Sequence, residues 1–363
     1  MTQTQPKFNI LFRELAVSAI QRSAKGIVAL ILDDTVMSEN VLTLRTFADL
    51  KTSDVDAKNY ELIQLCFMGN PNKVIVVKKQ AEISDTVAIL GKLRFNYYAM
   101  PSAESADITA LKSYYDARRA KLTAFAKGVF ANALAPDSQR IINFAQEEDM
   151  TLNFTGTAKT YTAGEYTVRI AGILAGIPDT MSATYYKLSE IVDMKVSEDP
   201  DADAGLGKLV VLSENGIFKL GRAINSLTTL TDGVTKAFQK IKIVSAIDLI
   251  TEDIVTTYRD AYVGKYNNFY GNKLRFVGAV NSYLKGLEGT LLDPSMKNKV
   301  DVSIEKNKKY LEDQGKDTSK MSDEQLKQAD TGSEVLLDGH ASPVDAMEDL
   351  TLDILMYQEV KEV

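Results

Sequence analysis

The 363-residue chain carries 42 Lys and Arg against 49 Asp and Glu, a formal charge of −7, with 45% hydrophobic and 25% charged residues. This is the composition of an ordinary soluble globular protein; the length points to two or more subdomains, and an acidic balance without a dense Lys/Arg block argues against nucleic acid as a partner. Cys66 is the only cysteine and His340 the only histidine, which excludes an intrachain disulfide and a His/Cys cluster for a transition metal.

The opening MTQTQPKFNI lacks the layout of a secretory signal, and no apolar run approaches the roughly 20 residues that span a bilayer, so synthesis in a cytoplasm is expected. PKFNILFRE puts Phe8, Ile10 and Phe12 on one face, the period of a strand. GIVALILDD (26–34) and NKVIVVKK (72–79) are short β-branched runs that suit central strands. Between them NYELIQLCFMG reads as a helix closed by Gly69, with Cys66 as a core thiol. EISDTVAILGKL then reads as helix, FNYYAMP as extended up to Pro101, ESADITALKSYYDARRAKL as amphipathic helix and AFAKGVFA as strand. This alternation predicts an α/β layer structure up to about residue 145.

TYTAGEYTVRIAGILAGIP gives the strongest helix signal. Thr162 and Glu165 form a capping box, and Tyr166, Ile170, Ile173, Leu174 and Ile177 share a face. Ala163, Gly164, Ala171, Gly172, Ala175 and Gly176 leave the other flanks bare. Each interior Gly costs about 1 kcal/mol against Ala, so a closely packed neighbour is expected in compensation. GKLVVLSE and GIFKLGRAI, joined by ENG, fit a hairpin. FQKIKIVSAIDLITEDIVTTYRDAYVG begins strand-like and continues as a long helix, and NKLRFVGAVNSYLKGLEG makes another after Gly271. VDVSI reads as a strand, SDEQLKQAD as a short polar helix opened by Ser322 and Gln325, and SEVLLDG and EDLTLDIL as strands.

Signals for chemistry are thin. Asp199, Asp201 and Asp203 have the first spacings of a calcium loop, but Ala204 and Val210 stand where Gly and Glu are needed, so DPDADAGLG reads as a solvated acidic loop. GLGKL precedes a strand instead of leaving one and reads as a turn. A catalytic triad has only His340 to draw on, in the loop DGHASP, without a G-x-S-x-G elbow. Paired carboxylates have no local spacing, so a monomeric carboxylate-dependent hydrolase stands as an alternative. So does a carbohydrate-binding module using the Tyr pairs 97–98, 114–115 and 185–186, which read better as core or interface aromatics. No catalytic residue, metal site or cofactor is assigned.

The ends are the unusual feature. In EDLTLDIL (348–355), Leu350, Leu352 and Ile354 alternate with Thr351 and Asp353, and so little chain follows that no later strand is expected to pair with it. Unpaired edges are normally hidden. Adding each terminal strand to a sheet of another copy satisfies them, and since donor and acceptor surfaces differ, such contacts build rings or helical arrays.

RSAKGIVALILDD, FNYYAMP, IINF, YTAGEYTVRIAGILAGIP, YYKLSEIVDM, RAINSLTTLT, FQKIKIVSAIDLITEDI, NSYLKGLE, TGSEVLLDG and DAMEDLTLDI, in this order and spacing, resemble the tail sheath proteins of contractile phage tails. The likeness is greatest to the compact sheath of the clostridial R-type bacteriocins called diffocins and of similar Gram-positive phage tails. The resemblance implies a mixed α/β, two-subdomain sheath fold: an N-terminal arm and lead-in over 1–20, an outer α/β subdomain over 21–145, an inner sheath domain over 146–345 and a C-terminal strand arm over 346–363. It implies a non-enzymatic subunit without cofactor or nucleotide, which stacks as six-membered rings around an inner tail tube, meets baseplate and tail terminator proteins, and contracts to drive the tube through a cell envelope. Nucleic acid and membrane insertion have no part in it. Such a subunit is made in the bacterial cytoplasm and leaves in a released particle. The implied contact residues are Phe8, Ile10 and Phe12 in one arm and Leu350, Leu352 and Ile354 in the other. Val335, Leu336 and Leu337 would lie in a receiving strand, and Glu324, Lys327 and Asp330 would be exposed on a tube-facing polar helix over 322–330.

Overall fold

The computed structural model describes residues 20, 22 and 24–356. The N-terminal arm residues Phe8, Ile10 and Phe12 lie outside the described residues. In chain order the first elements are β1 (Ile27–Leu32), β2 (Val41–Leu44), α1 (Ala57–Phe67), β3 (Lys73–Lys78), α2 (Ile83–Leu90), β4 (Tyr97–Ala99), α3 (Ser105–Ala120), β5 (Lys127–Ala131) and β6 (Ile141–Phe144). Then come β7 (Met150–Leu152), β8 (Lys159–Tyr161), α4 (Ala163–Gly176), β9 (Ile191–Asp193), α5 (Pro200–Gly205), β10 (Lys208–Leu209), β11 (Val211–Glu214), β12 (Ile217–Leu220) and α6 (Ile241–Ala261). The last are α7 (Tyr270–Leu287), β13 (Lys299–Val302), α8 (Ile304–Asp313), α9 (Asp323–Gln328) and β14 (Leu337–His340).

The chain forms two compact units, one of residues 24–252 with 343–356, the other over Asp253–Ser342. In the first, a seven-stranded sheet runs in the order β10-β6-β5-β4-β1-β3-β2. Its neighbours are parallel except for β2, which is antiparallel to β3 at the edge. Central β1 explains why its apolar run is unbroken: Val28, Leu30 and Leu32 enter one core and Ile27, Ala29 and Ile31 the other. A parallel strand covered on both faces has no polar side to present. Buried residues of α1 and α4 join the first core, those of α2 and α3 the second.

The bare flank of α4 meets backbone. A Cβ on Gly172 would lie 2.1 Å from the Cys66 carbonyl oxygen of α1, and one on Gly176 would lie 1.8 Å from that of Gly69. Gly69 does not close α1 by a left-handed turn; Asn70 takes that role, with φ 57°. Gly69 is needed instead because its own Cβ would sit 2.1 Å from the Gly172 carbonyl carbon. Cys66 is fully buried here, and burial pushes its thiol up to about 12, far from a nucleophile's range.

Three expectations change. The boundary near residue 145 falls inside one core: Met150, Leu152, Tyr166, Ile170 and Leu209 pack with Val28, Leu30 and Val74, and β10 pairs with β6. Consequently α4 belongs with the N-terminal sheet. The strand-like start of the segment around Ile241 and Ile243 is already helix, since a few β-branched residues do not outweigh a long 3.6-residue period. DPDADAGLG is not an open loop but the short helix α5, capped by Asp199 accepting from the Ala202 N–H (3.0 Å), with Asp203 paired to Lys208 (2.9 Å).

A single buried carboxylate ties α6 to this sheet. Asp248 accepts from Arg140 at both oxygens, one contact being 2.9 Å, and meets Lys127 at 2.7 Å and Arg119 at 3.2 Å. Burial opposes its charge, but Lys127 and Arg140 prevail and hold the Asp248 carboxyl below the ordinary range.

In the unit Asp253–Ser342, Tyr258 and Tyr262 pack against Phe276 of α7, one ring tilted and the other edge-on, with centroids 5.0 and 4.8 Å away. One turn further along α7, Asn281 accepts from the Val300 N–H (2.7 Å) and donates to its C=O (3.0 Å), so a side-chain amide acts as a partner strand for β13. The capping box of α9 forms as predicted, with Ser322 accepting from the Gln325 N–H at 3.3 Å.

Candidate inter-subunit interface

Among the described residues, the small sheet of the unit Asp253–Ser342 is made of β13 and β14, antiparallel, with Val302 opposite Leu337 and Lys299 opposite His340. Two strands make a marginal sheet. Asp301 and Asp338 sit directly across from each other, a destabilising like-charge pair; Lys327 answers Asp301 at 2.7 Å and Lys306 answers Asp338 at 2.5 Å. The strand expected over SEVLLD is shifted toward the C-terminus. Leu337 lies in β14, whereas Val335 and Leu336 precede it, because pairing with β13 ends at Val302, where Ser303 caps α8. His340 therefore stands in a strand, not in a loop.

The C-terminal segment has two parts of opposite character. Asp345, Glu348 and Asp349 are tied by side chains to the unit of residues 24–252. The Glu348 carboxylate, 5% exposed, accepts from Ser182 Oγ (3.0 Å), Thr184 Oγ1 (2.6 Å), Arg222 (3.3 Å) and Lys240. Asp349 pairs with Arg222 at 2.6 Å and Asp345 with Lys240 at 3.3 Å. Burial raises the Glu348 pKa, but Lys240, Thr184 and Ser182 outweigh it and hold the carboxyl below its ordinary value. Beyond this root the chain stands clear. Leu350, Leu352 and Ile354 are 87%, 68% and 76% exposed, and residues 350–356 are in neither helix nor strand. The strand expected over EDLTLDIL is therefore not formed in the isolated chain, and among the described residues no strand of its own chain pairs with this segment.

The tail sheath protein of Clostridium phage phiCD119 is 37% identical to this chain over 361 residues, 96% of this chain and 98% of that one. The chain belongs to the tail sheath protein family. No family model matches it. Among solved structures, the anti-feeding prophage helical sheath in its contracted state has a TM-score of 0.68 at 14% identity, covering 98% of this chain and 99% of that chain. The sheath tail protein of Desulfitobacterium hafniense has a TM-score of 0.64 at 15% identity, covering 82% and 93%. At such identities these likenesses concern the mixed α/β fold, which is that of sheath proteins.

Within this sheath-family chain the proposed tube-facing helix is only partly as expected. Glu324 and Asp330 are exposed, but Lys327 is half-buried by its pair with Asp301. Leu326 is buried, and its carbonyl accepts from Asn307 of α8 at 2.9 Å, so one face of α9 is committed to its own unit. The root formed by Glu348, Asp349, Ser182, Thr184, Arg222 and Lys240 carried no sequence signal. Its bonded pairs are separated by up to 166 residues, and two acids before a strand pattern look like any polar lead-in.

Proposed function

We propose that the chain is a non-enzymatic sheath subunit that joins copies of itself by exchanging its terminal arms, stacks as six-membered rings around an inner tube, and contracts to drive that tube through a cell envelope. The observation that carries this is the segment 350–356, whose aliphatic row is exposed immediately after a firmly held root. Each such side chain gains about 1.5–3 kcal/mol on full burial. A subunit that leaves a strand pattern of this kind uncovered is built to bury it elsewhere.

The sheet β13-β14 supports the role of acceptor. Asn281 already occupies β13 at Val300, which favours the β14 edge, around Leu337 and Gly339, for an incoming strand. Leu350, Leu352 and Ile354 would supply that strand, and Phe8, Ile10 and Phe12 a second arm. Glu324 on α9 and Asp330 just beyond it would be the exposed acids offered to a tube protein. Baseplate and terminator proteins would meet the ends of the array, which is assembled in the cytoplasm and leaves in a released particle. Energy for contraction would come from repacking between subunits, with no nucleotide.

The test is a chain ending at Asp349, which keeps the root and loses the row. It should fold with an unchanged melting temperature and form no rings or tubes by negative-stain microscopy under conditions where the full chain does. Tubes from the shortened chain would contradict the arm reading.

A further inference from the structure

Residues 345–349 are held to the body by charged and hydroxyl side chains drawn from three separate stretches: Ser182 and Thr184 after α4, Arg222 after β12, and Lys240 at the start of α6. Both oxygens of Glu348 are used. Oε1 takes the two hydroxyls, and Oε2 takes Lys240 and Arg222. Thr184 Oγ1 also accepts from the Ala223 N–H at 3.0 Å, which ties the floor of this clamp to the backbone between β12 and α6. Charge-assisted bonds of this kind are roughly twice as strong as neutral ones. From two residues later the aliphatic side chains are largely in solvent.

We propose that Glu348 is a positioning residue for strand exchange: its clamp sets the point, and the side-chain phase, from which Leu350, Leu352 and Ile354 leave for another copy. The proposal rests on the arm reading above and adds what determines where the arm starts. Two physical consequences give the clamp its purpose. A tether anchored at 348 is much shorter than one free from residue 343, and the effective concentration of a tethered strand at its acceptor falls as slack is added. A one-residue slip in a strand also turns its apolar row to the wrong face, so a fixed root removes the out-of-phase alternative.

Glu348→Gln in the full chain keeps the shape of the side chain but loses both ion pairs. The expected result is a monomer with an unchanged melting temperature whose critical concentration for assembly, read by sedimentation, rises at least about tenfold, in keeping with lost effective concentration. Lys240→Met, which removes the ion pairs to Glu348 and Asp345 from the other side, should move assembly in the same direction; it decides the matter if Glu348→Gln lowers the melting temperature. Assembly of both variants at the wild-type concentration, while the chain ending at Asp349 fails to assemble, would overturn the clamp and leave the arm reading intact. Assembly of the shortened chain itself would remove the ground for both.

Discussion

Asp248 and Glu348 are both buried carboxylates, and they do different work. Asp248 gathers Lys127 of β5, Arg119 of α3 and Arg140 from the turn before β6, and removing it leaves those cations without their counter-charge. Asp248→Ala is expected to cost about 3–5 kcal/mol, seen as an earlier urea transition in the full chain; a change below about 1 kcal/mol would show that the cluster is dispensable. Glu348 holds a strap instead of a core. Its folded pKa lies below the ordinary 4.5, so its contribution is complete above about that pH and is lost as the pH falls through the lower folded value. A spin label at Met347→Cys, beside the root and away from buried Cys66, should be restrained above about pH 4.5 and mobile well below it, and Glu348→Gln should be mobile throughout. Neither carboxylate was legible in the sequence. Their partners lie 108 to 129 residues away for the Arg pairs of Asp248 and 108 for Lys240 of Glu348, and spacing rules reach only a few residues.

At the level of elements, legibility followed how strongly one period dominates. β1, β3 and α4 were plain because an unbroken apolar run or a capping box with a 3.6-residue row admits one reading. The start of α6 was not, since Ile241 and Ile243 alternate over too short a span to separate strand from helix. The small residues of α4 announced a close neighbour correctly, while its identity as the α1 backbone at Cys66 and Gly69 is a tertiary fact. Gly172→Ala should therefore destabilise by about 1–3 kcal/mol or more, the range of overpacking, where an ordinary helical Gly→Ala would stabilise by up to about 1 kcal/mol; thermal melts give the sign directly. The opposite holds in the arm. Leu352 is largely exposed in the isolated chain, so for Leu352→Asp the melting temperature should stay within a degree or two while tube formation is lost.

For the whole molecule, the α/β character could be read from sequence, but the division into units could not. The expected boundary near 145 followed the end of strand-helix alternation, whereas β10 and α4 return to the first sheet and the second unit begins at Asp253. That division gives the exchange model its form. The root of the arm lies in the unit of residues 24–252 and 343–356, and the two-stranded sheet β13-β14 lies in the other. In the proposed exchange, assembly would rest on many weak, identical joints, each with an ionic root and an apolar row.

The most direct measurement is a cryo-microscopy map of assembled tubes at a resolution that traces the backbone. The account predicts residues 350–356 as a strand paired with the β13-β14 sheet of a neighbouring copy, with Leu350, Leu352 and Ile354 buried there and Glu348 still held by Lys240 of its own chain. Density showing 350–356 folded back on its own subunit, or unpaired in the tube, would contradict it.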